Sequence, residues 1–173
     1  TIAIDAEPSF VALGRAHVAA GMNNRAWFYR VGPPEEQMSY AAERVNQREY
    51  VGTIDECALN DAVAAVRCEG RVTCHLIEHE DDPTESMDFT LPAPGGGGAR
   101  TPTAEVASIA LTSEFLVYGT TSGGVCYFHL PERVHVCEYK HGQGAVTTLK
   151  VNALGTRVVF VDERATPIFL NPV

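Results

Sequence analysis

His75-Leu-Ile-Glu78-His79 is the stretch of this 173-residue chain whose residue types and spacing best match a catalytic pattern. H-x-x-E-H is the inverted zinc-peptidase arrangement. In that chemistry two imidazoles on one helix face hold Zn²⁺, and the glutamate activates the bound water. A helix is therefore required. The residues leading into the motif are Arg71-Val-Thr-Cys, β-prone types that predict a strand ending within it. On a strand, positions 75 and 79 share a face but lie about 13 Å apart. Two Zn–N bonds of about 2 Å do not bridge that span without a bend. No downstream helix offers a third ligand. The motif is expected to be a solvated strand end, and a zinc hydrolase using His75, Glu78 and His79 is the remote alternative.

Other chemistry-bearing residues lead the same way. Gly119-Thr-Thr-Ser-Gly-Gly could cradle a phosphate, but no Lys-Ser/Thr and no helix follow it, and a P-loop needs both. It reads as a hairpin turn. Ser, His and Asp are present without a Gly-x-Ser-x-Gly elbow. The five cysteines, Cys57, Cys68, Cys74, Cys126 and Cys137, are odd in number and include no C-x-x-C pair. Each sits in or beside a predicted strand. Buried reduced thiols are expected, not disulfides or a zinc site, which favours a cytosolic compartment. No catalytic, cofactor-binding or metal-binding residue is assigned, and no cofactor is expected.

The elements around these residues repeat. A β-rich run, a tight polar or glycine turn and a second β-rich run begin at His17, Ala62, Phe115 and Arg157, about 40 to 53 residues apart. That period in short strands marks a WD40-like β-propeller with four-stranded blades, most often a binding platform. Blades are expected at approximately 8–52, 53–91, 104–140 and 144–173. Expected strands include 10–13, Ala26 to Tyr29, Glu49 to Val51, Ile54 to Leu59, Arg71 to Ile77, Val106 to Leu111 and Val134 to Tyr139. Asn23-Asn24 and Glu69-Gly70 are the turn signals. Residues 92–103, with four consecutive glycines, read as a flexible insertion that offers nothing to bury. The aromatics Trp27, Phe28, Tyr29, Tyr127, Phe128 and Phe169 recur at matching places, which predicts packing between neighbouring blades. The last unit lacks an outer strand. About three and a half blades, against the usual seven or so, imply part of a larger propeller.

Composition narrows the partners. A net charge of −9 argues against a nucleic-acid backbone, whose phosphates need a basic surface. No run of 18 apolar residues is present, so no transmembrane span and no direct membrane insertion are expected. No signal-peptide pattern opens the chain. The chain lacks an initiator Met, which suggests processing or excision from a longer protein.

Five runs carry a more specific likeness: Gly21-Met-Asn-Asn-Arg-Ala-Trp-Phe-Tyr, Glu49-Tyr-Val-Gly-Thr, Glu69-Gly-Arg-Val-Thr-Cys-His-Leu-Ile-Glu, Ala110-Leu-Thr-Ser-Glu-Phe-Leu-Val-Tyr-Gly-Thr and Gly155-Thr-Arg-Val-Val-Phe-Val-Asp-Glu. In order along the chain, they resemble the WD-repeat protein nineteen family, a subunit of intraflagellar transport complex A. The likeness fails mainly over 30–48 and 79–103. It implies a segment of that family's second propeller and a non-catalytic scaffold. Other complex A subunits and membrane-protein cargo adaptors would be its partners. Its place would be the cilium or flagellum and basal body, on the cytoplasmic, cytoskeleton-associated side. Retrograde transport and the bringing of membrane proteins into cilia would be its work. A propeller of another tandem-propeller trafficking or coat subunit is the alternative.

Overall fold

The computed structural model describes residues 7–32, 42–78, 87–92, 104–152 and 155–171. Among these residues every regular element is a strand. Four sheets form in chain order. Blade one is β1 (Phe10–Leu13), β2 (His17–Met22), β3 (Arg25–Val31) and β4 (Ala42–Glu49). Blade two is β5 (Ile54–Leu59), β6 (Val63–Cys68), β7 (Arg71–Leu76) and β8 (Phe89–Leu91). Blade three is β9 (Val106–Leu111), β10 (Phe115–Thr120), β11 (Gly124–His129) and β12 (Val134–Lys140). Blade four has β13 (Val146–Val151), β14 (Val158–Asp162) and β15 (Pro167–Leu170). Within each sheet the strands are hydrogen-bonded in sequence order, so each blade is a meander. The all-β propeller class expected from the repeat is the class observed.

Turn chemistry explains the meanders. Asn23 and Glu69 hold positive φ, with Gly70 beside Glu69 also positive, as tight hairpins require. The first turn of three blades is closed by a polar side chain that accepts backbone N–H groups. Asn60 Oδ1 takes those of Ala62 and Val63 at 2.9 and 2.6 Å. Thr112 Oγ1 takes that of Phe115 at 2.9 Å, and Asn152 Oδ1 takes that of Arg157 at 2.8 Å. These are the short local bonds through which Asn and Thr favour turns.

The chain divides into two compact units. In the first, blade one meets blade two through small residues. Ala12, Ala19 and Ala26, with Phe28, lie against Ile54, Ala64, Val66, Cys68 and Ile77, all buried. In the second, Ala110, Val117 and Val125 of blade three meet Val146, Leu149, Val158 and Phe160 of blade four. Each fully buried aliphatic or phenyl side chain contributes about 1.5–3 kcal/mol. Bulges recur at matching places, between Phe28 and Tyr29 on β3 and between Tyr127 and Phe128 on β11. An extra residue there bends the outer strand and raises local twist.

Three expectations need correction. The outer strand of blade one is Ala42–Glu49, ending where Glu49 to Val51 was expected to begin. Tyr50 instead enters the core, while Val51 is 94% exposed. The true strand, Ala-Glu-Arg-Val-Asn-Gln-Arg-Glu, is an outer strand with little apolar pattern to betray it. Phe169 does not pack between blades; it is 77% exposed. Cys137 is exposed, because it lies on the outer strand β12, where most side chains are exposed. The expected insertion lies almost wholly outside the described residues.

Gly119 marks a close approach of blades three and four. A Cβ there would stand 2.4 Å from Val146 Cγ1, 2.6 Å from Val146 Cβ and 2.6 Å from Ser108 Oγ. Val146 is fully buried and has no room to retreat. Gly119→Ala should therefore destabilise the protein by about 1–3 kcal/mol, read as a lower urea midpoint with an unchanged slope.

Candidate interaction surface

The residues that match the catalytic pattern part company in three dimensions. His75 lies in β7 and is buried at 2% exposure. Its Nδ1 donates to the Leu76 carbonyl at 2.7 Å, which leaves Nε2 to accept from the Tyr50 hydroxyl at 2.6 Å. Phe28 meets the imidazole edge-on at 5.3 Å between centroids. Both ring nitrogens are thus engaged within the core of the first unit. Burial drives the Tyr50 pKa far above its usual value, so its hydroxyl keeps the proton it donates.

Glu78 serves a different group. Its Oε1 lies 2.7 Å from His17 Nε2 and accepts from Arg30 Nε at 2.8 Å, and Arg30 Nη2 pairs with its other oxygen. One carboxylate from the end of β7 thereby clamps β2 and β3 of blade one. Hydrogen bonds from Arg30 first, then from His17, hold the Glu78 pKa down to about 2. His79 lies outside the described residues. Among the described residues, no three His, Cys, Asp or Glu side chains converge as a metal site would need. His75 and Glu78 therefore serve blade packing. The run after Arg71 is the strand its β-prone residues predicted.

The second unit carries a related device that sequence reading missed. Tyr50 and His141 each follow an outer strand, and their backbone N–H groups donate to the Asn24 and Gly123 carbonyls, at 2.8 and 2.9 Å. His141 Nε2 stands 3.1 Å from Asp162 Oδ2. Asp162 Oδ1 accepts the N–H groups of Arg164 and Thr166, both at 2.9 Å. The Thr166 N–H foremost, with His141 and the Arg164 N–H, keeps this carboxyl below its usual pKa. A buried Asp at the end of β14, opposite a His after β12, was readable only with the blades aligned.

The thiols are mostly inert. Burial lifts Cys57 and Cys126 to about 12 and Cys68 to about 11. The thiolate is the reactive form, so these groups carry no chemistry near neutral pH. Gly119 to Gly124 forms the end of β10, a turn and the start of β11, as a hairpin should.

The outer rim is what the fold presents. On blade one it is charged and paired: Arg25 with Glu49, Arg30 with Glu43, and Arg48 with Asp88. At the opposite edge of the same sheet, Val11 and Leu13 of β1 are exposed, Leu13 at 79%. On blade three the outer strand exposes Val134, Val136 and Tyr139.

Residues 1–173 match the family described as the WDR19 second beta-propeller. The chain belongs to that family. WD repeat-containing protein 19 of Homo sapiens is 38% identical over 175 residues, covering 100% of this chain and 12% of the relative. WD repeat-containing protein dyf-2 of Caenorhabditis elegans is 29% identical over 157 residues, covering 82% of this chain and 11% of its own length. The chain thus spans about an eighth of the human relative. Among solved structures, the Myceliophteria thermophila Cps50 (Swd1) beta-propeller domain superposes with a TM-score of 0.72 at 13% identity, over 96% of this chain and 54% of that one. A computationally designed protein, Ika4, gives 0.67 at 10% identity, over 99% and 94%. At such identities the structures speak for the fold alone. Together with the family they make this chain a partial propeller of the WD40 kind.

Glu78→Gln keeps the shape and removes the charge of the clamp. A carboxylate whose pKa is depressed on folding stabilises above its unfolded value, near 4.5, and loses that contribution as pH falls toward 2. The variant should be less stable by about 1 kcal/mol at pH 7. Urea titrations should show the gap between the two proteins closing as pH drops below 4.5.

Proposed function

We propose that this chain is a non-catalytic scaffold segment of an intraflagellar transport complex A subunit. In this reading it supports complex assembly, retrograde ciliary transport and the bringing of membrane-protein cargo into cilia. The observation that carries it is the family match over residues 1–173, joined to 38% identity with the human relative along the whole chain. The rim agrees with a binding role. Ion pairs and exposed apolar strands occupy it, and the histidine and carboxylate groups that could have done chemistry are spent on holding blades together.

Partners in this reading are other complex A subunits and membrane-protein cargo adaptors. The place of action is the cilium and basal body, on the cytoplasmic side. The net charge of −9 favours protein surfaces over nucleic acid. The full-length protein, tagged and recovered from ciliated cells, should bring other complex A subunits with it and concentrate along cilia. Recovery of none of them, or an exclusively vesicular coat distribution, overturns the assignment in favour of another tandem-propeller trafficking subunit. Metal analysis of the purified protein should find no stoichiometric zinc; one zinc per chain would revive the hydrolase.

A further inference from the structure

The linker between blades one and two is tied down along its length. The Tyr50 N–H donates to the Asn24 carbonyl at 2.8 Å, and Asn24 Nδ2 donates back to the Tyr50 carbonyl at 3.3 Å. The Tyr50 ring enters the core of the first unit, where its hydroxyl meets His75. Gly52 has a φ of +93° and lies against the Glu69 side chain, so close that a Cβ would stand 2.6 Å from Glu69 Cδ. The Ile54 N–H donates to the Asn23 carbonyl at 2.7 Å. Between these ties stands Val51, 94% exposed, the most exposed large apolar side chain among the described residues. Met22, which leads into the turn that the linker crosses, is also exposed.

The fold makes no demand for an apolar group at that place. In the second unit His141 follows its outer strand as Tyr50 does, and its N–H donates to the Gly123 carbonyl in the same way. The residue after it is Gly142, exposed, with nothing within 4 Å of where a Cβ would stand. Turns are ordinarily built from glycine and polar residues, and a β-branched apolar side chain adds nothing to this one. The other strongly exposed apolar groups lie on β1, β12 and β15, whose faces a neighbouring sheet can cover. Val51 lies on a linker that no sheet can cover.

Charge around this apex says what kind of surface fits it. Glu49 and Asp55, on either side in sequence, pair with Arg25 and Arg67. Glu69 is exposed and enters no ion pair among the described residues. Its N–H donates to Asp55 Oδ2 at 3.2 Å, which keeps it beside the linker. An unpaired carboxylate next to an apolar apex repels phosphate, so it disfavours nucleic acid and anionic lipid and favours a cation. We propose that Val51 anchors a protein-binding contact. Its side chain enters a small apolar pocket on another polypeptide, and a lysine or arginine at the lip of that pocket pairs with Glu69. The ties on either side hold the anchor in its bound geometry beforehand, which lowers the ordering cost of docking. The inference goes beyond the transport reading and does not depend on it.

Photo-crosslinking tests the contact directly. Full-length protein with Val51 replaced by p-benzoylphenylalanine is irradiated in ciliated cells, and the adducts are mapped by mass spectrometry. One adduct should dominate, on an apolar segment of a second polypeptide with lysine or arginine beside it. The same probe in place of Gln47, exposed on β4, should give little of it. Val51→Asp should cut recovery of that polypeptide with the tagged protein by about tenfold or more, and Glu69→Lys severalfold. Val51→Asp should leave the urea midpoint unchanged, because the side chain it alters is exposed. If it lowers the midpoint, Val51→Ser replaces it and should still cut recovery severalfold. The proposal is overturned by no adduct at position 51, by an adduct confined to the protein's own chain, or by one to lipid. Recovery that a folded variant leaves unchanged overturns it as well. An adduct to a polypeptide outside complex A, lost with Val51→Asp, upholds the contact and counts against the transport reading. Complex A subunits recovered undiminished, with no adduct, do the reverse.

Discussion

The close stacking of sheets through small residues is the constraint on which the rest depends. A blade has two faces and cannot bury either alone. In the first unit, three alanines on blade one let the branched side chains of blade two come near, with Phe28 filling the outer part of the gap. In the second, Gly119 leaves the space that Val146 enters, and Phe160 takes the position of greatest bulk. Close packing of this kind leaves little tolerance for an extra methyl group. It also explains why the strands are short, since each need only span one layer of the shared core.

Polar groups are subordinate to that stacking, and they are placed where stacking alone would leave the blades free to slide. Glu78 fixes blade two to β2 and β3, and His75 receives Tyr50 from the segment joining the two blades. In the second unit the segment joining blades three and four delivers His141 to Asp162. Each pair sits where one blade hands the chain to the next, so a histidine and an oxygen-bearing partner mark the first and the third of the three crossings. His75 and Glu78, which could have acted on a substrate, are instead satisfied by neighbours, and burial keeps most of the thiols protonated. What remains open to a partner is the rim. It is charged and internally paired on blade one, whereas on blade three exposed Val134, Val136 and Tyr139 stand beside the paired Glu138 and Lys140, a contrast suited to contacts of different kinds.

Legibility in the sequence followed burial. Strands that line the shared cores, such as Val106–Leu111 and Ile54–Leu59, carry an apolar signature and were bounded correctly from it. The outer strand Ala42–Glu49 carries none, so the expected strand fell on Glu49 to Val51, where Tyr50 and Val51 supply the apolar signal. Tyr50 is apolar-looking because it belongs to the core, not because it belongs to a strand. Phe169 misled in the opposite sense: its place in the repeat suggested packing, but on β15 it points away from the shared core that Ile168 and Leu170 join.

By itself the sequence determined the repeat, the strand-turn-strand grammar and the family, because alternation, turn residues and distinctive runs are local properties of a chain. It also disarmed the zinc-like motif, since β-prone residues before His75 already forbade the helix that the chemistry needs. Only the tertiary structure decided which partner each polar group takes. Tyr50 and His75 are 25 residues apart, and His17 and Glu78 are 61 apart. No local pattern predicts such meetings, because they exist only once two sheets have stacked and their buried polar groups must be satisfied by whatever the neighbouring blade brings within reach.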